Sequence, residues 1–247
     1  DVYGPHEDTE LMIEAVVQYL NHHDVKRSLE VGVGSGAVSK VLCEHVSDHV
    51  GVDINPDAVE AAKTSCSKGE YIVSDMFAKV NGSFDLIVCN PPYLPERKGD
   101  PDDWVKQAIV GGKKGYEFIV RFLDTVSPYL NNGGRCLLLF TTLSRPDVIL
   151  QEIDRQLLEK KKLLEKSIMM EQFFVYEIIK QPLRVHLEKE GYLSISFLAR
   201  GSHGYIFTAM KDGKKVSLKV KNPSSKSEHV AAKEAEKLAY VNTLGVG

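Results

Sequence analysis

Apolar residues Leu11, Met12, Ala15, Val16, Tyr19 and Leu20 recur at helical spacing. The spacing predicts a helix over residues 9–21, with Asp8 or Thr9 as its N-cap. Strand-like and helix-like patterns then alternate. Short apolar runs predict strands at 28–31, 49–53, 71–73, 84–89, 135–140, 167–170 and 173–179. Between them, 3.6-residue periodicity predicts helices at 36–45, 56–67, 115–130 and 145–161. Residues 94–112 are polar and rich in Gly and Pro, and read as a long loop. Strands alternating with helices imply an α/β fold with a mostly parallel sheet covered on both faces. The last two strands are separated only by Glu171-Gln172, too short for a crossover, so they should form an antiparallel hairpin at one edge of a seven-stranded sheet. After Lys180 the pattern changes at Gln181-Pro182, which divides the chain into 1–180 and a smaller α+β segment, 181–247.

The strand at 84–89 runs into Asn90-Pro91-Pro92-Tyr93. Two prolines cannot continue a central strand, because they lack the N–H, and they stiffen the backbone. The Asn90 amide and the Pro91 carbonyl should then project rigidly past the strand end, where open α/β sheets bind ligands. Two fixed acceptors beside an aromatic ring suit a planar group that carries NH2. Upstream, Glu30-Val31-Gly32-Val33-Gly34-Ser35-Gly36 ends the first strand and opens the first helix. Such a loop lets a ligand approach the backbone closely. Asp53, followed by Ile54, ends the second strand and could accept both hydroxyls of a ribose. Gly32, Gly34, Ala37 and Asp53 fit a dinucleotide fingerprint. The same loop, read with Glu30 as an acid that attracts an amino group, fits S-adenosylmethionine (AdoMet). Asp75-Met76 after the third strand suits an adenine amino group, and with Asn90-Pro-Pro-Tyr93 it favours AdoMet.

Composition excludes several classes. The chain has 247 residues, 43% hydrophobic and 26% charged, which is ordinary for a globular protein. No apolar run approaches the roughly 20 residues that span a bilayer. Net charge is −8 over residues 1–180 and +5 over 181–247. The acidic first part argues against nucleic acid as the partner. Cys43, Cys66, Cys89 and Cys136 are scattered without a C-x-x-C pair, which predicts reduced, buried thiols and a cytoplasmic protein. The eight histidines show no metal-ligand spacing, so no metal site is expected.

The order of glycine loop, Asp53, Asp75 and Asn90-Pro-Pro-Tyr93 resembles the class I (Rossmann-like) AdoMet-dependent amino-methyltransferases. The opening Val2-Tyr3-Gly4-Pro5-His6-Glu7-Asp8-Thr9 is similar to the archaeal and eukaryotic HemK-like branch. Gly111-Gly112-x-x-Gly115 extends the likeness, which covers about 1–180. The resemblance implies N5-methylation of a glutamine in a class I translation termination (release) factor. It assigns Asn90, Pro91 and Tyr93 to catalysis, and Asn90 to Tyr93, including Pro92, to substrate binding. It assigns Glu30, Gly32, Gly34, Gly36, Asp53, Ile54, Asp75, Met76, Asn90 and Thr9 to AdoMet. Tyr3, Glu7, Asp8 and Thr9 are expected to close over the cofactor. It also implies a small zinc-binding activator protein, pairing with the third-strand edge at Tyr71-Ile72-Val73.

Residues 197–220 resemble the N-terminal lobe of small archaeal protein kinases. Gly201 and Gly204 match the last two glycines of the loop, Lys219 the phosphate lysine, and Glu234 its partner. No H-R-D or D-F-G motif follows, so phosphate transfer is not expected of this lobe. Two alternatives remain open on sequence. One is an amino-methyltransferase acting on adenine N6 or guanine N2. The other is a kinase-lobe binding or scaffold module.

Overall fold

The computed structural model describes residues 4, 6–98, 104–168, 170–201, 204–221 and 240–242. Two compact units divide the chain: residues 1–152 with 160–179, and residues 153–159 with 180–247. The first unit opens with α1 (Glu7–Leu20), β1 (Arg27–Val31), α2 (Ala37–His45), β2 (Asp48–Asp53), α3 (Pro56–Ser65), β3 (Glu70–Val73) and β4 (Phe84–Cys89). It continues through β5 (Leu94–Pro95), α4 (Trp104–Ile109), β6 (Val110–Gly112), α5 (Glu117–Val126), β7 (Leu130–Thr141), α6 (Pro146–Arg155), β8 (Leu158–Ile168) and β9 (Glu171–Lys180). The second holds α7 (Pro182–Lys189), β10 (Leu193–Gly201), β11 (Gly204–Lys211), β12 (Lys214–Lys221) and β13 (Tyr240–Asn242).

Seven strands form one sheet in the order β3-β2-β1-β4-β7-β9-β8. β1, β2, β3, β4 and β7 run parallel, and β9 runs antiparallel to β7. Strand order reverses between β1 and β4, the position where doubly wound sheets leave a crevice for ligands. Val31 at the end of β1 pairs with Val52 on one side and Cys89 on the other. The segments after all three strands therefore leave the sheet at one level.

α1 is a core element. Leu11, Met12, Ala15 and Val16 are buried against Leu42, Leu137, Leu139 and Val175. Each such side chain contributes about 1.5–3 kcal/mol when fully buried. Neither Asp8 nor Thr9 caps it, against expectation: His6 occupies the N-cap position, with no side-chain cap. The Asp8 carboxylate is engaged elsewhere, as described below.

Three further expectations are corrected. The helix predicted at 145–161 ends at Arg155, and Leu158–Ile168 is an edge strand. The break falls at Leu157, which adopts a left-handed φ of 52° without a glycine or proline to mark it. Lysines 160, 161, 162 and 166 on β8 are typical of a charged edge strand that resists pairing with other chains. The predicted turn Glu171-Gln172 lies inside β9. The predicted loop 94–112 contains α4 and a short parallel pairing of β5 with β6.

Cysteine usage also differs. Cys43 on α2 and Cys66 at the end of α3 form a disulfide across a 23-residue separation, and Cys89 and Cys136 are free and buried. The bridged pair lies among Val33, Ala58, Val59, Ala62 and Tyr71. Packing of α2 against α3 brings the two together, which linear spacing could not reveal.

In the second unit, β10 to β13 form an antiparallel sheet in sequence order. Its core gathers Leu157, Leu187, Tyr192, Phe207 and Leu218. Among the described residues no helix is long and apolar enough to cross a membrane.

Loop-closure entropy assigns the Cys43–Cys66 bridge about 3 kcal/mol of stability. Reducing the native protein should lower its unfolding free energy by about that amount in denaturant titrations. The unreduced, denatured chain should titrate as two free thiols; four would remove the bridge.

Candidate active site

A cavity of about 320 Å³ opens over the C-terminal ends of β1, β2 and β4. Its size falls within the roughly 300–1,000 Å³ of small-molecule sites. Glu30, Gly32 and Gly34 line it from the first loop, Asp53 and Ile54 from the second, and Asp75 and Met76 from the third. Asn90 and Pro92 line it from the fourth, and Thr9 from α1. Pro91 and Tyr93 are absent from the lining. So is Gly36, where an added Cβ would lie 2.7 Å from Ala62 Cα and 2.8 Å from Ser65 Oγ, so its place is the seam between α2 and α3.

Two acids form the floor. The Asp53 carboxylate accepts hydrogen bonds from the Gly34 N–H at 3.1 Å and the Asn55 N–H at 2.9 Å. Burial raises its pKa, partly offset by these bonds and one from the Ile54 backbone. Asp53 thus shapes the glycine loop while facing the cavity. Glu30 is 4% exposed and has Ser39 Oγ as a hydrogen-bond donor. Burial pushes its carboxyl up to about 8; Ser39 lowers it and the nearby Asp53 raises it further. No cation neutralises Glu30 among the described residues, so it is a neutral acid at pH 7 until a positive group arrives.

Asn90 is held by an unexpected partner. Its Nδ2 donates to Asp8 Oδ2 at 3.4 Å, and Tyr93 Oη donates to the same oxygen at 3.2 Å. The other Asp8 oxygen accepts from the Thr9 N–H at 2.7 Å and Thr9 Oγ1 at 3.3 Å. A carboxylate can only accept from an amide, so the Asn90 NH2 must face Asp8. Among the described residues, Asn90 Oδ1 is left buried without a hydrogen-bond partner. Tyr93 is fixed again by Phe173, edge to face with centroids 5.8 Å apart. The glycines at 111–115 press on this backbone: a Cβ on Gly111 would lie 2.5 Å from the Pro92 carbonyl oxygen, and one on Gly115 2.5 Å from that of Tyr93.

The far end of the cavity adds residues that sequence reading missed. Arg121 and Phe118 of α5 line it. Arg121 grips the Asp75 carboxylate with two hydrogen bonds of 2.8 Å, so Asp75 already has a partner. Of the opening segment, Asp8 and Thr9 are buried, Glu7 is exposed, and Tyr3 lies outside the described residues. The buried acceptor Oδ1, two acids and a glycine loop around one cavity fit AdoMet. Glu30 would hold its ammonium, Asp53 its ribose, and Asp75 with Met76 its adenine.

Comparison with known proteins places the chain among methyltransferases. The family described as Methyltransferase small domain matches residues 7–162. A Methanocaldococcus jannaschii protein named for protein N5-glutamine methyltransferase activity is 38% identical over 151 residues, covering 58% of this chain and 74% of its own. The release factor glutamine methyltransferase of Chlamydia trachomatis is 31% identical over 146 residues, covering 53% of this chain and 49% of its own. The chain thus spans about half the length of that bacterial relative. In solved structures, the E. cuniculi Mtq2–Trm112 complex, responsible for methylation of the eRF1 translation termination factor, superimposes with a TM-score of 0.61. It is 28% identical and covers 73% of this chain and 99% of the matched one.

The buried Glu30 has a signature in stability. Below its unfolded pKa near 4.5 the group is protonated in both states and has no effect. As pH rises toward about 8 the unfolded chain loses the proton while the folded chain retains it, so stability falls. Glu30→Gln should therefore melt higher than the wild type without ligand, by a margin that widens between about pH 5 and about pH 8. Thermal melts across that range check the sign.

Proposed function

This chain belongs to the family of methyltransferase small domains, and we propose that it methylates the side-chain nitrogen of a glutamine in a translation termination factor, using AdoMet. The observation that carries the reading is the buried Asn90 Oδ1, without a partner among the described residues, on a side chain that lines the cavity and whose NH2 is turned to Asp8. An amide nitrogen is a weak nucleophile, because its lone pair is delocalised into the carbonyl. Asn90 Oδ1 and the Pro91 carbonyl each accept one of its two N–H bonds. That raises electron density on nitrogen and turns the lone pair toward the methyl donor. Tyr93, immobilised by Asp8 and Phe173, packs beside the planar amide. When bound, AdoMet supplies an electrophilic methyl group on sulfur and a neutral leaving group. No strong base is required of the protein, whose contribution is position and electrostatics.

The acidic charge of residues 1–180 supports a protein acceptor over a nucleic acid. A small zinc-binding activator would add to β3, the terminal strand of the sheet, beside the exposed Ile54 and Val73. The E. cuniculi Mtq2 structure, solved in complex with Trm112, supports a partner protein. A termination factor as substrate implies a cytoplasmic protein in this reading, although the Cys43–Cys66 bridge removes the cysteine argument for it. The described part of residues 181–247 is a kinase-lobe-like segment in this reading. Gly201 pairs with Gly204 at the β10–β11 turn, and Lys219 is exposed opposite Ile206. Glu234 lies outside the described residues.

The test is methyl transfer from radiolabelled AdoMet to a termination factor and to its Gln→Ala variant, with tRNA and DNA alongside. Label on the factor that vanishes with the glutamine is expected; label on nucleic acid alone overturns the acceptor. Asn90→Ala should cost about 100-fold or more in kcat while AdoMet still binds. Asp8→Ala, which frees the Asn90 amide to rotate, should cost about 10- to 100-fold in kcat with little change in AdoMet affinity.

A further inference from the structure

The polar groups under the glycine loop continue past Glu30. His49, inside β2, is 3% exposed, and its ring is held from two sides. Ser28 Oγ lies 3.0 Å from Nδ1, and Tyr71 meets the ring edge to face with centroids 5.8 Å apart. Nε2 is buried, has no hydrogen-bond partner among the described residues, and lies 3.9 Å from Glu30 Oε2. That gap is too long for a hydrogen bond and short enough to close by a small shift. Burial pushes the imidazole down to about 4, so the ring is neutral near pH 7 and carries one N–H.

The other groups facing this pair set the charge balance. Ser39 comes from α2 and donates to Glu30. Asp53 at the end of β2 acts on Glu30 as a like charge. From β3 comes the Tyr71 hydroxyl, and from β4 the buried Cys89 thiol, both raised by burial and by Glu30. None is a cation. A charged Glu30 would have Ser39 as its only donor within the protein among the described residues.

We propose that His49 is a positioning residue for the cofactor site, with Ser28 donating to Nδ1 so that Nε2–H is held in reserve and closes on Glu30 when that acid becomes charged. The proposal rests on the AdoMet reading, in which the charging agent is the ammonium of the cofactor. As the ammonium enters, the Glu30 proton leaves to solvent. His49 takes up no proton. It remains neutral and supplies a second hydrogen bond to the new carboxylate. The unsatisfied Nε2 in the ligand-free protein is the cost of having that donor ready.

Isothermal calorimetry of AdoMet binding from about pH 6 to about pH 9, in buffers of different ionisation heat, tests this on the wild type, His49→Phe and His49→Gln. Thermal melts of the ligand-free proteins accompany it. The wild type should release a proton near neutral pH and bind more tightly as pH rises toward about 8, above which loss of the α-amino proton of AdoMet opposes binding equally in all three proteins. His49→Phe should bind roughly tenfold more weakly at neutral pH, with its pH midpoint moved upward and the deficit shrinking toward pH 9. His49→Gln, whose amide N–H can reach the same place, should recover most of the loss. A deficit in His49→Phe that is equal at every pH, or a wild-type profile in that variant, overturns the role of His49 and leaves the cofactor reading standing. Absence of AdoMet binding by the wild type overturns both.

Discussion

The site depends on the register that pairs Val31 with both Val52 and Cys89. Parallel strands in fixed register end at fixed heights, so Gly32, Asp53 and Asn90 emerge side by side from three neighbouring strands. A slip of one residue would turn the β1 and β4 side chains to the opposite face and separate the glycine loop from Asn90. The buried apolar residues of these strands make such a slip expensive, since Leu29, Leu86, Ile87 and Val88 would all change surroundings. Core packing therefore fixes the functional geometry, with the loops as its extension.

On that base, α1 contributes more than its apolar face. Burial of Leu11, Met12, Ala15 and Val16 anchors the helix, and the anchored helix delivers Asp8 to Asn90 and Tyr93. One carboxylate oxygen orients both side chains of the Asn-Pro-Pro-Tyr turn. The glycines at 111–115 hold the same turn from its other side by close backbone contact. The turn is clamped between two distant parts of the chain, which is what positional catalysis on an unreactive amide requires.

Much of this was legible in the sequence. Alternating periodicity gave seven strands, and the closeness of the last two gave their antiparallel pairing, although the turn between them falls before Glu171-Gln172. Asn90, Asp53 and the loop glycines stood out because their chemistry follows a strand end. What escaped depends on contacts across the fold. Asp8 looked like a helix cap, since its partners are 82 and 85 residues away. Arg121 carried no local signal, because only the placement of α5 brings it to Asp75. The start of β8 was hidden because the chain turns at a left-handed leucine, where sequence rules expect glycine. Cys43 and Cys66 gave no local signal for the same reason as Asp8: their proximity is a product of helix packing.

Three features of the cavity run against ordinary burial. Among the described residues, Glu30 is an acid without a cation, Asn90 Oδ1 an acceptor without a donor, and His49 Nε2 a ring nitrogen without a partner. Each of the two unpartnered atoms carries a desolvation penalty of about 1–3 kcal/mol. Scattered through a core, such defects would only weaken it. Here Glu30 and Asn90 line the cavity, and His49 Nε2 lies 3.9 Å from Glu30. Their needs are also complementary to one class of occupant: a cation for Glu30 and an NH2 group for Asn90. The folded chain is less stable than its core would allow, and the deficit is concentrated where a cationic methyl donor and an amide acceptor would relieve it.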